Sequence, residues 1–114
     1  MYVVKIKSSG ISDIVSDGNL NLAQLTLDVS GTANIELSGQ VADQTIKVSG
    51  VLDAKNFELL TNNTTIDVSG SSDIEIACAG DLDIDVSGIA TVSYKGIPSI
   101  SQNTSGTLTL IDAN

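Results

Sequence analysis

The sequence predicts an all-β protein wound as a parallel β-solenoid of about five coils, each 18–21 residues long. Three observations predict it. Ser-Gly pairs recur at nearly constant spacing, at Ser9-Gly10, Ser30-Gly31, Ser49-Gly50, Ser69-Gly70, Ser87-Gly88 and Ser105-Gly106, in steps of 21, 19, 20, 18 and 18 residues. Repetition at such a period marks a chain in which each unit makes one coil. Aligned on those pairs, the same positions are apolar in coil after coil. Within each unit apolar and polar residues alternate, which is the period of a strand with one face buried.

The first strand of each coil ends at the Ser-Gly pair. Immediately before Ser stand Ser8, Val29, Val48, Val68, Val86 and Thr104, and two residues earlier stand Ile6, Leu27, Ile46, Ile66 and Ile84. These form two inward files, of which Val29, Val48, Val68 and Val86 make the central one. Gly31, Gly50, Gly70 and Gly88 then turn the corner, a place where glycine's access to positive φ is expected to matter. The second strand carries Ile14, Ile35, Ala54, Ile74 and Val92, followed two residues on by Ser16, Leu37, Asn56, Ile76 and Tyr94.

A second corner is expected at Gly18, Gly39 and Gly96, with Gly80 two residues late. Beyond it Leu20, Leu22 and Val41 predict a third side, short and poorly formed. Asn56 interrupts its file, so Phe57 and Leu59 are expected to take over through a one-residue shift or bulge. Pro98 cannot donate to a ladder and should mark a break. The outward columns carry the charges: Lys7, Asp28, Lys47, Asp67 and Asp85 in one, Val15, Glu36, Lys55, Glu75 and Ser93 in the next. Lys47 and Lys55 thereby fall between acids of neighbouring coils. Each exposed pair is worth only about 0.2–1 kcal/mol, and its larger value is in specifying register.

Three stretches carry a family resemblance. They are Val68-Ser69-Gly70-Ser71-Ser72-Asp73-Ile74-Glu75-Ile76, then Leu82-Asp83-Ile84-Asp85-Val86-Ser87-Gly88, then Val92-Ser93-Tyr94-Lys95-Gly96-Ile97-Pro98. In that order, with Ser105-Gly106 closing, the chain resembles the head GIN domain of putative autotransporter adhesins, over roughly residues 5 to 111. The resemblance implies a right-handed parallel β-helix of the kind found in exported or cell-envelope bacterial proteins. It brings no catalytic residues with it. The chain departs from the family pattern where second glycines are replaced, at Ala33, Asp53, Ser72 and Ala90.

The totals fit one domain spanning residues 1–114. Hydrophobic residues are 41% and aromatics 3%, which suits a thin interior filled by stacked aliphatic side chains. Five lysines against 14 acids give a net charge of −9. That disfavours nucleic acid, whose phosphates need cations, and anionic membrane surfaces. No run reaches membrane-spanning length. A lone Cys78 excludes an internal disulfide, and its place in an alternating stretch makes it a small buried hydrophobe. Met1-Tyr2-Val3-Val4-Lys5 is not a secretory leader. Either the protein is not exported, or its leader lies outside these 114 residues.

Chemistry is scarce. His and Arg are absent, which removes the usual general base, zinc ligand and phosphate clamp. Asp81, Asp83 and Asp85 line one strand near Asp67, Asp73 and Glu75, but outward acids on an open face lack the burial that a glycosidase acid requires. The same three aspartates are the candidates for a calcium site, although strands do not wrap an ion as a loop does. Thr26, Thr45 and Thr65 fall in register, but Asp83 follows them, so an ice-binding threonine array is not expected. No enzyme and no cofactor is expected.

The reading that remains is a non-enzymatic binding or structural module, adhesin-like, whose partner is a protein or a surface glycan. The alternative is a small acidic inhibitor or mimic, of phage or mobile-element type, docking on a basic protein. The apolar ends, Tyr2-Val3-Val4 and Leu108-Thr109-Leu110-Ile111, leave strand edges that predict self-association, end to end or side by side.

Overall fold

A computed structural model describes residues 2–15 and 20–112 of the protein, the side chains of residues 2, 20 and 56–58 excepted. Nine strands run along the described chain: β1 (Tyr2–Ser8), β2 (Ile11–Val15), β3 (Leu20–Val29), β4 (Thr32–Val48), β5 (Val51–Val68), β6 (Ser71–Val86), β7 (Ile89–Lys95), β8 (Ser99–Thr104) and β9 (Thr107–Asp112). Every pairing among them is parallel. The order is β1-β3-β4-β5-β6-β7-β9, with β2 beside β4 and β8 beside β6. This is a parallel β-solenoid of about five coils. Parallel pairing of consecutive strands without crossover helices is possible because each coil returns the chain one rung further along the axis.

The predicted files are present. Ser8, Val29, Val48, Val68, Val86 and Thr104 are successive partners, as are Ile6, Leu27, Ile46, Ile66 and Ile84. On the second side Ile14, Ile35, Ala54, Ile74 and Val92 stack in turn. Val68, Ile66, Ile74 and Val86 are 0% exposed. Fully burying such a side chain stabilises by about 1.5–3 kcal/mol, so the winding itself supplies the driving force. Lys47 stands between Asp28 and Asp67, and Lys55 between Glu36 and Glu75, as the charge columns require. The break at Pro98 falls between β7 and β8.

The Ser-Gly corners work differently from expectation. Among the described glycines only Gly10, Gly39 and Gly96 have positive φ. Gly31, Gly50, Gly70 and Gly88 do not. They are glycines because a Cβ on each would overlap the carbonyl oxygen of the glycine one coil earlier. The serine has its own task. Ser69 N–H donates to the Val48 carbonyl at 2.8 Å, and its hydroxyl donates to the same oxygen at 3.2 Å. Ser30, Ser49 and Ser87 repeat this double contact. Ser-Gly is therefore a close-packing unit: one residue clamps the preceding coil and the next lets it approach.

The second corner is not a shared file. Gly39 is in register with Leu20 and Leu59, Gly80 stands over Asn62, and Gly96 stands over Cys78. The expected corner at Gly18 and the file member Ser16 lie outside the described residues, as do the side chains of Leu20, Asn56 and Phe57. Asp53 is likewise out of the predicted place: Leu52 stacks with Ala33 and Ser72, while Asp53 pairs with Asn34 and Asp73. Leu52 stands two residues past its corner glycine, as Ala33, Ser72 and Ala90 do, whereas Asp53 stands three past Gly50.

The third side is better formed than predicted, since β3 to β6 run through it as strands. Leu22, Val41, Thr61 and Cys78 form its buried file. The irregularity expected in the third coil is there. Register shifts fall between Glu36 and Ser38 against β5, and between Asn56 and Leu60 against β6. The longer coil accommodates its extra residues there, and Leu59 is fully buried.

Candidate functional site

The solenoid presents its outward side chains as straight columns about 4.8 Å apart along the axis. On the first face, formed by β1, β8 and the C-terminal halves of β3 to β6, three columns run side by side. One holds Asp43, Asn63 and Asp81, the next Thr45, Thr65 and Asp83, and the third Lys47, Asp67 and Asp85. Alternation fixes them outward, because Gln44, Ile46 and Val48 between them point into the core. Asn63 Nδ2 donates to Asp43 Oδ1 at 2.9 Å, and the Asp81 N–H donates to Asn63 Oδ1 at 3.4 Å. The second face repeats the device where Asn34 Nδ2 donates to Asp13 Oδ1 at 3.0 Å.

These Asn/Asp ladders went unread in the sequence. Their signal was there: Asp43, Asn63 and Asp81 each stand five residues before the central valine file. Asn63 thus donates to the carboxylate of one coil and accepts from the backbone of the next, which holds its amide in place on the face.

Asp81, Asp83 and Asp85 occupy one strand and are all exposed. Their rung neighbours are Asn63, Thr65 and Asp67 on one side and Ser99, Ser101 and Asn103 on the other. Asp85 thus has one carboxylate neighbour, Asp67. Among the described residues no group of three or more His, Cys, Asp or Glu side chains is arranged to hold a metal ion. Asp73 and Glu75 belong to the second side, paired with Asp53 and Lys55. The six acids that the sequence brought together are therefore divided between two faces.

The interior holds polar groups that the sequence reading did not single out. Thr61 Oγ1 donates to the Ala77 carbonyl at 2.9 Å and lies 2.7 Å from Thr64 Oγ1. Gln44, 1% exposed, stacks between Leu25 and Thr64, and neither of its amide atoms has a hydrogen-bond partner. A buried amide left so costs about 1–3 kcal/mol. Cys78 is buried as expected, its Sγ 3.4 Å from the Asp81 carbonyl and 3.5 Å from that of Asn62.

Among the described residues the concave ground is open to solvent. A depression of about 350 Å³ lies on the second face among Asp13, Asn34, Glu36, Asp53 and Lys55. A smaller one of about 190 Å³ on the first face is bordered by Asp28, Lys47, Asp67 and Ser69.

The model of a family described as "Putative auto-transporter adhesin, head GIN domain" matches residues 2–98. The final coil, β8 and β9, lies beyond the matched range and continues the same register. Searches of curated proteins and of solved structures returned no match.

Proposed function

Because this chain belongs to the family of putative auto-transporter adhesin head GIN domains, we propose that it is a non-enzymatic binding module whose first face meets a protein or a surface glycan. The observation that carries this reading is the register of that face. Asp43, Asn63 and Asp81 stand beside Thr45, Thr65 and Asp83 on strands fixed by unbroken backbone pairing. A partner that lies along the axis meets donors and acceptors repeated at one spacing. Asn63 and Asp43 are already held by their mutual hydrogen bond, so ordering them on binding costs little side-chain entropy.

The test is retention of a partner on the immobilised chain, scored on a glycan array and by capture of proteins from envelope extracts. Thr65→Lys places a long cation in the middle of the face and should weaken retention at least tenfold, about 1.4 kcal/mol. Ser71→Lys, on the exposed second face, should leave it unchanged. Equal retention by both variants, or retention lost only in Ser71→Lys, would contradict the assignment of the face.

The acidic end of the same face favours a second reading. Asp67 and Asp85 are direct neighbours, with Asp81 and Asp83 on the same strand as Asp85. That patch would dock on a basic protein, and binding of this kind would weaken steeply with added salt.

A further inference from the structure

Each coil grips the one before it in the same direction. Ser30 N–H donates to the Ser8 carbonyl and Thr32 N–H to that of Gly10. The pair of bonds recurs at every later corner, ending with Ser105 on Val86 and Thr107 on Gly88, all at 2.8–3.0 Å. Corner N–H groups thus point to the N-terminal end of the solenoid and corner carbonyls to the C-terminal end. By that register, Ser9 and Ile11 turn their N–H groups outward at one end. Thr104 and Gly106 turn their carbonyls outward at the other. All four residues are exposed.

Side chains at the two ends match as well. Val4, Ile6 and Ile14 at one end, and Ile100, Leu108 and Leu110 at the other, are only partly buried against the core. If the register simply continued from one copy into the next, Ile100 would lie over Val4 and Leu110 over Ile14. Ile111 would lie beside Val15, and both are exposed, at 44% and 67%. Gln102 would meet Ile6 and Leu108 would meet Ser12, so this seam is less apolar than the internal ones. A depression of about 530 Å³ among Gln102, Thr104, Gly106, Thr107 and Leu108 leaves room at that end for an incoming corner.

Charge selects the polarity. Lys5 and Lys7 are exposed on the first rung, while Asp83 and Asp85 stand one rung inside the last. Continuation puts Lys5 next to Ser101 and Lys7 next to Asn103, about 9.6 Å from the two aspartates, within about a Debye length. A head-to-head arrangement would set lysines against lysines and corner donors against donors.

We propose that the two ends of this solenoid are an interface for a second copy of the chain, β1 and β2 of one docking in register on β8 and β9 of another. Such a heterologous contact does not close, and its product is an open filament that lengthens with concentration. The filament would carry the first face along its length.

Sedimentation equilibrium on the 114-residue chain tests this. The average mass should climb continuously with concentration. Ile11→Pro removes a donor at the first residue of an edge strand, where proline is tolerated, and the side chain it replaces is 91% exposed. Ser101→Lys/Asn103→Lys sets cations against Lys5 and Lys7 of the next copy, while each new lysine gains an aspartate neighbour in its own chain. Each variant alone should stay monomeric, and an equal mixture should form a one-to-one pair and grow no further. Lys5→Glu/Lys7→Glu serves as a proline-free partner: its altered end meets the new lysines and its native end meets the native Lys5 and Lys7, so with the double-lysine chain it should grow as an alternating filament. A wild-type chain that remains monomeric up to its solubility limit, or stops at a closed dimer, overturns the proposal. So does failure of both mixtures to associate.

Discussion

Gly70→Val is expected to destabilise the folded state severely, and Gly70→Ala to come close. The reason is contact between coils rather than torsion. Any Cβ at Gly70 overlaps the Gly50 carbonyl oxygen, which already accepts the Ser71 N–H at 3.0 Å. The obstruction is backbone, so no side chain can turn away to relieve it. The coils must separate locally, which weakens that bond and the one from Ile89 N–H to Gly70 carbonyl. Overpacking of about 1–3 kcal/mol, with two hydrogen bonds at about 0.5–1.5 kcal/mol each, consumes a large part of a stability on the order of 5–15 kcal/mol. Gly10 offers the contrast. Its φ is +105°, yet a Cβ there meets nothing within 4 Å. Gly10→Ala should cost only about 1–2 kcal/mol of torsional strain. Denaturant midpoints of the two alanine variants separate the two causes: Gly70→Ala must fall well below Gly10→Ala.

Val68→Asp is the second change expected to unfold the chain. Val68 is 0% exposed, with Val48 and Val86 as its neighbours on the two adjoining rungs. The substitution forfeits about 1.5–3 kcal/mol of burial and puts a carboxylate where only aliphatic groups surround it, at a further cost of several kcal/mol. Ile89→Asp, on the same sheet but 60% exposed, should shift the midpoint by no more than about 0.5 kcal/mol. Circular dichroism of the two variants reads the difference directly. A folded Val68→Asp chain would mean that the valine file is not the core.

How much was legible follows from what repeats. The central valine file and both charge columns could be read because one spacing recurs through several coils, and each recurrence adds weight to the register. The cause of the corner glycine could not be read. Positive φ and close approach leave the same letter in the sequence, and only the position of the Gly50 oxygen beneath Gly70 separates them. The second corner misled because Gly39 and Gly96 both have positive φ, yet they stand over different partners after the insertion in β5 has shifted the count. Asp53 precedes that insertion; it was misplaced because it stands three residues past Gly50, where the file runs two past each corner glycine. The Asn63 ladder stood in plain spacing but joined residues of different type, so a search for like with like passed over it. Gln44 has an ordinary place in the alternation, and no sequence signal marks its amide as unpartnered.

The central claim is that successive coils run parallel, each residue over its counterpart. Two cysteine pairs test it most directly: Thr45→Cys with Thr65→Cys, and Lys47→Cys with Asp67→Cys, with the native Cys78 buried away from both. Rungs about 4.8 Å apart bring each pair into the range of about 4.4–6.8 Å between Cα atoms that a disulfide spans. The solenoid predicts that both pairs cross-link under mild oxidation within one chain. A hairpin that brings Thr45 opposite Thr65 carries Lys47 away from Asp67, so a bond in the first pair alone, or in neither, would contradict the account.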